Sequence, residues 1–255
     1  MKTDRHSIFI SVLAILLLAG CAGSTGTGSP VPNDTQFLLR TVSDTMDGDK
    51  PYHVYHAIYV EKDRSREPYR VLADFRYTPT ENLSDALDSL KARGAVLKKT
   101  DTYGLPAEWV PLYRYKGQYY VYQPSEAGNL CRRILSDSLL VFWFMDEPMP
   151  YVLNKATKLN DSTFQVLSTD YLVKTPGFIR PEILNIYIID KTRRIAVWEY
   201  KARSDTGYHY ELVIPKSSIP LFDMIVNYSP QEKAGEFDFD SLSFPQLLRN
   251  RRLLR

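Results

Sequence analysis

The chain is poor in the residues and runs on which most catalytic and membrane-spanning architectures depend. Of 255 residues two are cysteine, Cys21 and Cys131, and four are histidine. Two cysteines close at most one bridge, so no disulfide framework holds the fold. A zinc site needs three or four ligands in tetrahedral array. The only close histidines, His53 and His56, lie three apart, which on a strand sends their rings to opposite faces. There is no Gly-x-Ser-x-Gly elbow, no phosphate-binding loop and no Gly-x-Gly-x-x-Gly fingerprint, and no cofactor is expected. Charge of one sign is lacking too. The 32 basic and 30 acidic residues leave a formal charge of +2, which gives no reason to expect a nucleic-acid partner. The single local excess is a basic tail at 249–255, with Arg249, Arg251, Arg252 and Arg255, read as a solvated end.

Long apolar runs are missing as well. The longest opens the chain, from Ile8 to Ala19, broken only by Ser11. A dozen residues cannot cross a hydrocarbon core that needs roughly twenty. With Lys2 and Arg5 ahead of it and small residues behind it, the run has the layout of an export signal. It ends in Leu18-Ala19-Gly20-Cys21, which resembles the lipobox of bacterial lipoproteins. The resemblance implies that residues 1–20 are removed as a signal peptide. It also implies that the Cys21 sulfur carries a diacylglyceryl group, and that the new N-terminal amine is acylated, with palmitate as a typical chain. Two acyl chains suffice for stable anchoring, at about 0.8 kcal/mol per buried methylene. Ala22, rather than Asp, follows Cys21, and by the sorting pattern of such lipoproteins this implies the outer membrane; with no acidic or lysine-acidic cluster after Cys21, it implies the periplasmic face. With Cys21 committed to lipid, Cys131 is left unpaired, and a buried structural thiol is expected there.

Residues 21–35 are small, polar and glycine-rich, the composition of a flexible tether. The remainder, 36–255, is expected to be one domain, mainly β with some helix: an antiparallel meander in a sandwich, barrel or half-barrel. Strands are predicted at 53–60, 69–77, 132–136, 139–145, 151–159, 163–167, 183–189, 194–203 and 208–214. Val110 to Tyr122 should form two more, turning at Lys116-Gly117-Gln118 with Gly117 at positive φ. Leu139 to Met145 is apolar throughout, so both faces of that strand should be buried. One short amphipathic helix is predicted at 82–93. Leu83, Ala86, Leu87 and Leu90 lie on one face, Asn82 is its cap and Gly94 its stop. The segment 219–226 reads as helical, and the charged segment 61–68 as a hairpin loop.

Tyrosine is the one residue in excess: 18, beside 11 Phe and 3 Trp. It suits half-exposed sheet faces and recognition surfaces. Trp109, Tyr113, Tyr120 and Tyr122 are therefore the candidate ligand or partner surface. Asp146-Glu147, after the apolar strand, is a carboxylate pair expected in a loop. Asp238 and Asp240 alternate with phenylalanines, which is strand patterning before it is metal binding. Three functions stay open. The first is a lipid-anchored, non-catalytic envelope protein that binds a protein partner or supports an assembly. The second is a binder or carrier of an apolar or glycan ligand in a β cavity, and the third is a hydrolase of envelope material.

Overall fold

The computed structural model describes residues 35–47, 50–74, 81–126, 129–144, 147–171, 183–201, 206–230 and 234–253. Cys21, the predicted signal peptide and all but the last residue of the predicted tether lie outside them. Residues Asp34–Arg255 form one compact unit. Its strands run β1 (Gln36–Asp47), β2 (Lys50–Glu61), β3 (Glu108–Pro111), β4 (Tyr113–Tyr115), β5 (Gln118–Gln123), β6 (Arg132–Leu135), β7 (Leu139–Phe144), β8 (Glu147–Asn160), β9 (Thr163–Thr169), β10 (Ile183–Asp190), β11 (Ile195–Lys201), β12 (His209–Pro215) and β13 (Asp223–Tyr228). Helix α1 (Glu67–Ala73) and α2 (Glu81–Ala92) follow β2, and α3 (Phe244–Leu253) comes last.

The protein is mainly β, and the meander closes. Strands β6 to β12 pair in sequence, each antiparallel to the next, and β3 fills the gap between β12 and β6 to complete an eight-stranded barrel. A second sheet of five strands has the order β1-β2-β13-β5-β4. Its β5–β13 pair is parallel, the exception to the antiparallel expectation.

An eight-stranded barrel is just wide enough for side chains to fill, and here they do. Trp109, Leu140, Phe142, Tyr151, Leu153, Phe164, Val166, Leu184, Ile186, Trp198 and Val213 form one buried cluster, supplied by alternate residues of the staves. Phe142 lies 5.9 Å from Tyr151, 6.3 Å from Trp198 and 5.5 Å from Tyr200, ring centre to ring centre. The opposite face of the β6–β8 wall carries Ile134, Leu139, Val141 and Val152, which pack with Leu90 and Leu87 of α2. That explains why the run at 139–142 is buried on both faces. Helix α2 buries the predicted stripe, with Leu83 and Leu90 sealed. It begins at Glu81, so Asn82 is inside it rather than capping it. It stops as expected: Gly94 takes φ +82°, its N–H bonds Lys91 O at 2.9 Å, and Ala95 N–H bonds Leu90 O at 3.0 Å, the pair of bonds of a Schellman ending. The Lys116-Gly117 turn has φ of 48° and 79°, the positive pair that matches the twist of a two-residue hairpin.

Four expectations need correction. The segment at 69–77 is not a strand over its described part: α1 occupies Glu67–Ala73. Pro68 fixes the backbone of its first turn, and Tyr69 and Leu72, three apart, form its buried stripe. The segment at 61–68 is accordingly an entry into that helix and not a hairpin loop. At 219–226 only the start is helical, a 3-10 turn over Lys216–Leu221 that contains Pro220, and the rest is β13. The Glu236-to-Asp240 segment keeps its alternation, with Phe237 and Phe239 turned inward, but joins no sheet. Strand β1 was not foreseen at all.

The barrel depends on its aromatic filling, so Phe142→Ala should cost about 3–5 kcal/mol. Urea unfolding followed by tryptophan fluorescence measures it; a loss below about 1 kcal/mol, within the range of an ordinary surface change, would show that the interior is not close-packed.

Candidate functional site

At one end of the barrel the apolar filling gives way to a charged pair. Arg133 of β6 is the cross-strand neighbour of Trp109 and Phe142, and Glu211 of β12 is that of Trp198; strand alternation therefore turns both side chains inward. They meet fork to fork, Nε–H to Oε1 and Nη2–H to Oε2, each at 3.0 Å. Nη1–H of Arg133 donates to its neighbour's carbonyl, Arg132 O, at 3.1 Å, and the guanidinium lies 4.7 Å from the centre of the Phe142 ring. Burial works against the Arg133 charge; the Glu211 carboxylate overrides it and holds the guanidinium above its ordinary value.

The pair borders a cavity of about 260 Å³ walled by Tyr113, Cys131, Tyr210, Phe239, Leu242 and Phe244. Phe239, Leu242 and Phe244 belong to the C-terminal strap and the start of α3. Asp240 fastens the strap by accepting from the N–H groups of Lys116 and Gly117, both at 3.1 Å, while its own N–H bonds Arg114 O at 2.8 Å. These contacts, the Gly117 N–H first, hold its carboxyl below the ordinary value. Beyond it Phe244 stacks on Tyr210 at 5.4 Å. Cys131 is half-buried; burial pushes its thiol up, against the pull of Arg133, so the adjacent arginines do not activate it.

The candidate aromatic residues separate. Trp109 is sealed inside the barrel at 1% exposure, 5.7 Å from Trp198, its indole N–H on Pro106 O at 2.6 Å. Tyr113, Tyr120 and Tyr122 do share one face of the five-stranded sheet; the chain itself covers that face at Tyr113 and Tyr122, while half-buried Tyr120 lines a cavity of about 370 Å³. Phe237 and Phe239 pack on Tyr113 and Tyr122 together with Ile58, Val60 and Ile225, and Tyr113 stacks on Phe239 at 4.4 Å. The Tyr122 hydroxyl donates to Glu236 at 2.7 Å and accepts from the Asn227 amide at 3.0 Å; burial is the main reason its phenol is pushed up to about 12. His56 shares Asn227, at 2.8 Å. His53 sits apart on Asp44, at 2.6 Å. Among the described residues no group of three or more His, Cys, Asp or Glu is arranged to hold a metal. Glu147 opens β8 opposite Phe144 instead of standing in a loop, and Asp146 lies outside the described residues.

One surface escaped the sequence reading. Among the described residues, beyond Arg40 and Ala57 β1 and β2 pair only with each other, because β13 reaches β2 no further than Ala57. The hairpin thus projects from the sheet, with β1 as its edge. Residues 39–44 are all exposed, Leu39 at 39% and Val42 at 61%. The signal was there: Asp47 pairs with Lys50, and the two residues between them, Gly48-Asp49, are a dipeptide of two-residue hairpin loops.

Compared with protein-family models, with curated proteins and with solved structures, the chain matches none.

Breaking one half of a buried ion pair leaves the other charge stranded. Glu211→Ala should therefore destabilise the domain by about 3–5 kcal/mol, and Arg133→Met with Glu211→Leu should recover most of it. Denaturant midpoints test this; a double variant no better than the single would mean that the pair is not the cause. Asp240→Ala should loosen the strap and speed alkylation of Cys131 severalfold, read by mass spectrometry; an unchanged rate would show that the strap does not guard the thiol.

Proposed function

We propose that the chain is a lipoprotein of the bacterial cell envelope, held through acyl chains on Cys21 at the periplasmic face of the outer membrane, and that its non-catalytic β domain works by binding another protein. The observation that carries the partner reading is the projecting edge of β1. An edge strand presents a row of backbone donors and acceptors that a second chain can complete. Folds that avoid such pairing blunt the edge with proline, charged side chains, bulges or a short strand. Strand β1 has no proline and is twelve residues long; its irregularity lies at its start, between Phe37 and Leu39, and its charges near Val42, Arg40 and Asp44, are of opposite sign. The anchor rests on the lipobox, and the barrel's polarity supports it. Apolar residues fill the interior, while Gln165, Asn185 and Glu199 form a polar row on the alternate face, joined at 3.0 and 2.8 Å. A membrane-spanning barrel has the reverse arrangement. No helix among the described residues is long and apolar enough to cross a membrane.

The second reading, an apolar or glycan ligand, would use a cavity: one of about 370 Å³ beside Tyr119, Tyr120 and Arg193, one of about 420 Å³ beside Pro106 and Pro220, or the one at the barrel mouth. The last, at 260 Å³, falls under the range of about 300–1,000 Å³ usual for such sites; the first two are shallow clefts outside the barrel, whose interior is filled.

The test has two arms. Cys21→Ala should abolish incorporation of labelled palmitate and leave uncleaved precursor; unchanged labelling would withdraw the anchor. A photo-crosslinking residue at Val42, compared with one at Leu159, which is 54% exposed on the barrel, should trap a protein in intact envelope where Leu159 does not. Equal yields at the two sites, or a small molecule recovered near stoichiometry with no trapped protein, would overturn the partner reading.

A further inference from the structure

We propose that the occupant of the β1 edge is a second copy of this chain, paired antiparallel about a two-fold axis through Val42, an inference that rests on the reading of this edge as a protein-docking surface. In such a pairing residues equidistant from the axis face each other. Arg40 then opposes Asp44 of the second copy, and Asp44 opposes its Arg40. Val42 meets Val42 and Thr41 meets Ser43. Opposite charges and hydroxyl pairs set directly across from one another stabilise antiparallel strands, and like charges destabilise them.

The register is selective. Moving the axis to Thr41 sets Asp44 against Leu38, and moving it to Ser43 sets Asp44 against Val42, so among these neighbouring registers only the Val42 axis matches the two charges. The strand is built to accept it. Pairing with β2 runs without a shift from Leu39 to Asp47, the one irregularity lying between Phe37 and Leu39, so the outer edge is regular through the whole complementary stretch. Arg40, Val42 and Asp44 pair across β2 with Ala57, Tyr55 and His53, on one face of the sheet. The Arg40 guanidinium rests 5.3 Å from the Phe37 ring and 6.0 Å from the Tyr55 ring, and Asp44 is held by His53, so both charges are positioned before a partner arrives.

The anchor fits this arrangement. Gln36, where β1 begins, stands six residues from the axis, so the two tethers would leave the joined sheet about 40 Å apart at about 3.4 Å per residue. Each tether of residues 21–35 can extend about 50 Å, enough for both to reach one membrane. Confinement to a surface raises the effective concentration of each copy for the other, so an edge contact of modest strength is sufficient.

The test uses the full-length chain in its own membrane with Cys131→Ser. On the axis, Val42→Cys brings two sulfurs together, because Cα atoms about 4.5–5.5 Å apart lie within disulfide span. Mild oxidation should give a linked dimer from Val42→Cys well before one from Thr41→Cys, which faces Ser43 instead of itself. Arg40→Asp or Asp44→Arg alone should lower the Val42→Cys yield severalfold, and the two together should restore it; two independently damaging changes would compound. Linking of Thr41→Cys as fast as Val42→Cys, or no recovery in the double variant, would overturn the proposal. If a crosslinker at Val42 traps a different protein while no dimer forms, the second-copy inference falls and the docking reading stands. Trapping of nothing would sink both.

Discussion

Closing a sheet on itself leaves an interior that must be filled, and this requirement organises the molecule. Strand β3 is the closing stave. It pairs with β12 on one side and β6 on the other through two or three residues each, and so turns a seven-strand meander into a tube without free edges. The tube's interior is apolar except at the end where Arg133 and Glu211 stand. A charge so deep is tolerable only because the opposing carboxylate meets it fork to fork. The pair therefore does structural work: it joins β6 to β12 across β3, at the seam of the closure.

The same strand leads the chain out of the barrel. One residue after β3 ends, β4 begins in the second sheet, and Leu112 between them still bonds Leu212 O of β12 at 2.8 Å. The C-terminal strap then runs over the aromatic face of that sheet and across the barrel mouth, fastened by Asp240, by Phe239 on Tyr113 and by Phe244 on Tyr210. What the sequence marks as a recognition surface is an internal interface. Tyrosine suits both settings for the same reason, an apolar ring with one polar tip, and Tyr122 shows it: its ring is buried while its hydroxyl bonds Glu236 and Asn227.

Edges are distributed unevenly. The barrel closes through the short β3, and the five-stranded sheet carries its long edge at β1. The fold closes one sheet and leaves the twelve-residue β1 at the edge of the other, and the proposed association is placed there. The exposed pair Arg40 and Asp44 gives that place a sense of direction, since opposite charges two residues either side of Val42 match only an antiparallel copy in one register.

Local patterns were legible in the amino-acid order wherever the deciding contacts lie a few residues apart. The Leu83–Leu87–Leu90 stripe, the glycine ending at Gly94, the turn at Lys116-Gly117 and the polar turns at 160–162 and 190–193 all belong to that class. Where the deciding contact is distant, the order of residues was mute or misleading. Strand propensity at Tyr69 and Val71 yielded to Pro68 and to a burial site for Tyr69, whose hydroxyl bonds Glu61 O and Phe222 O, the latter 153 positions away. Trp109 and Tyr113, four residues apart, went to a barrel interior and to a sheet face. Arg133 found Glu211 78 positions on, and Phe239 found Tyr113. Propensity and periodicity are sums over neighbours in the chain, whereas closure of a barrel and the covering of a sheet are decided by which far segments can fill a given space. The chain's own order settled that it is β-rich and where its turns fall; the packing settled which aromatics are core, which are covered and which edge is left open.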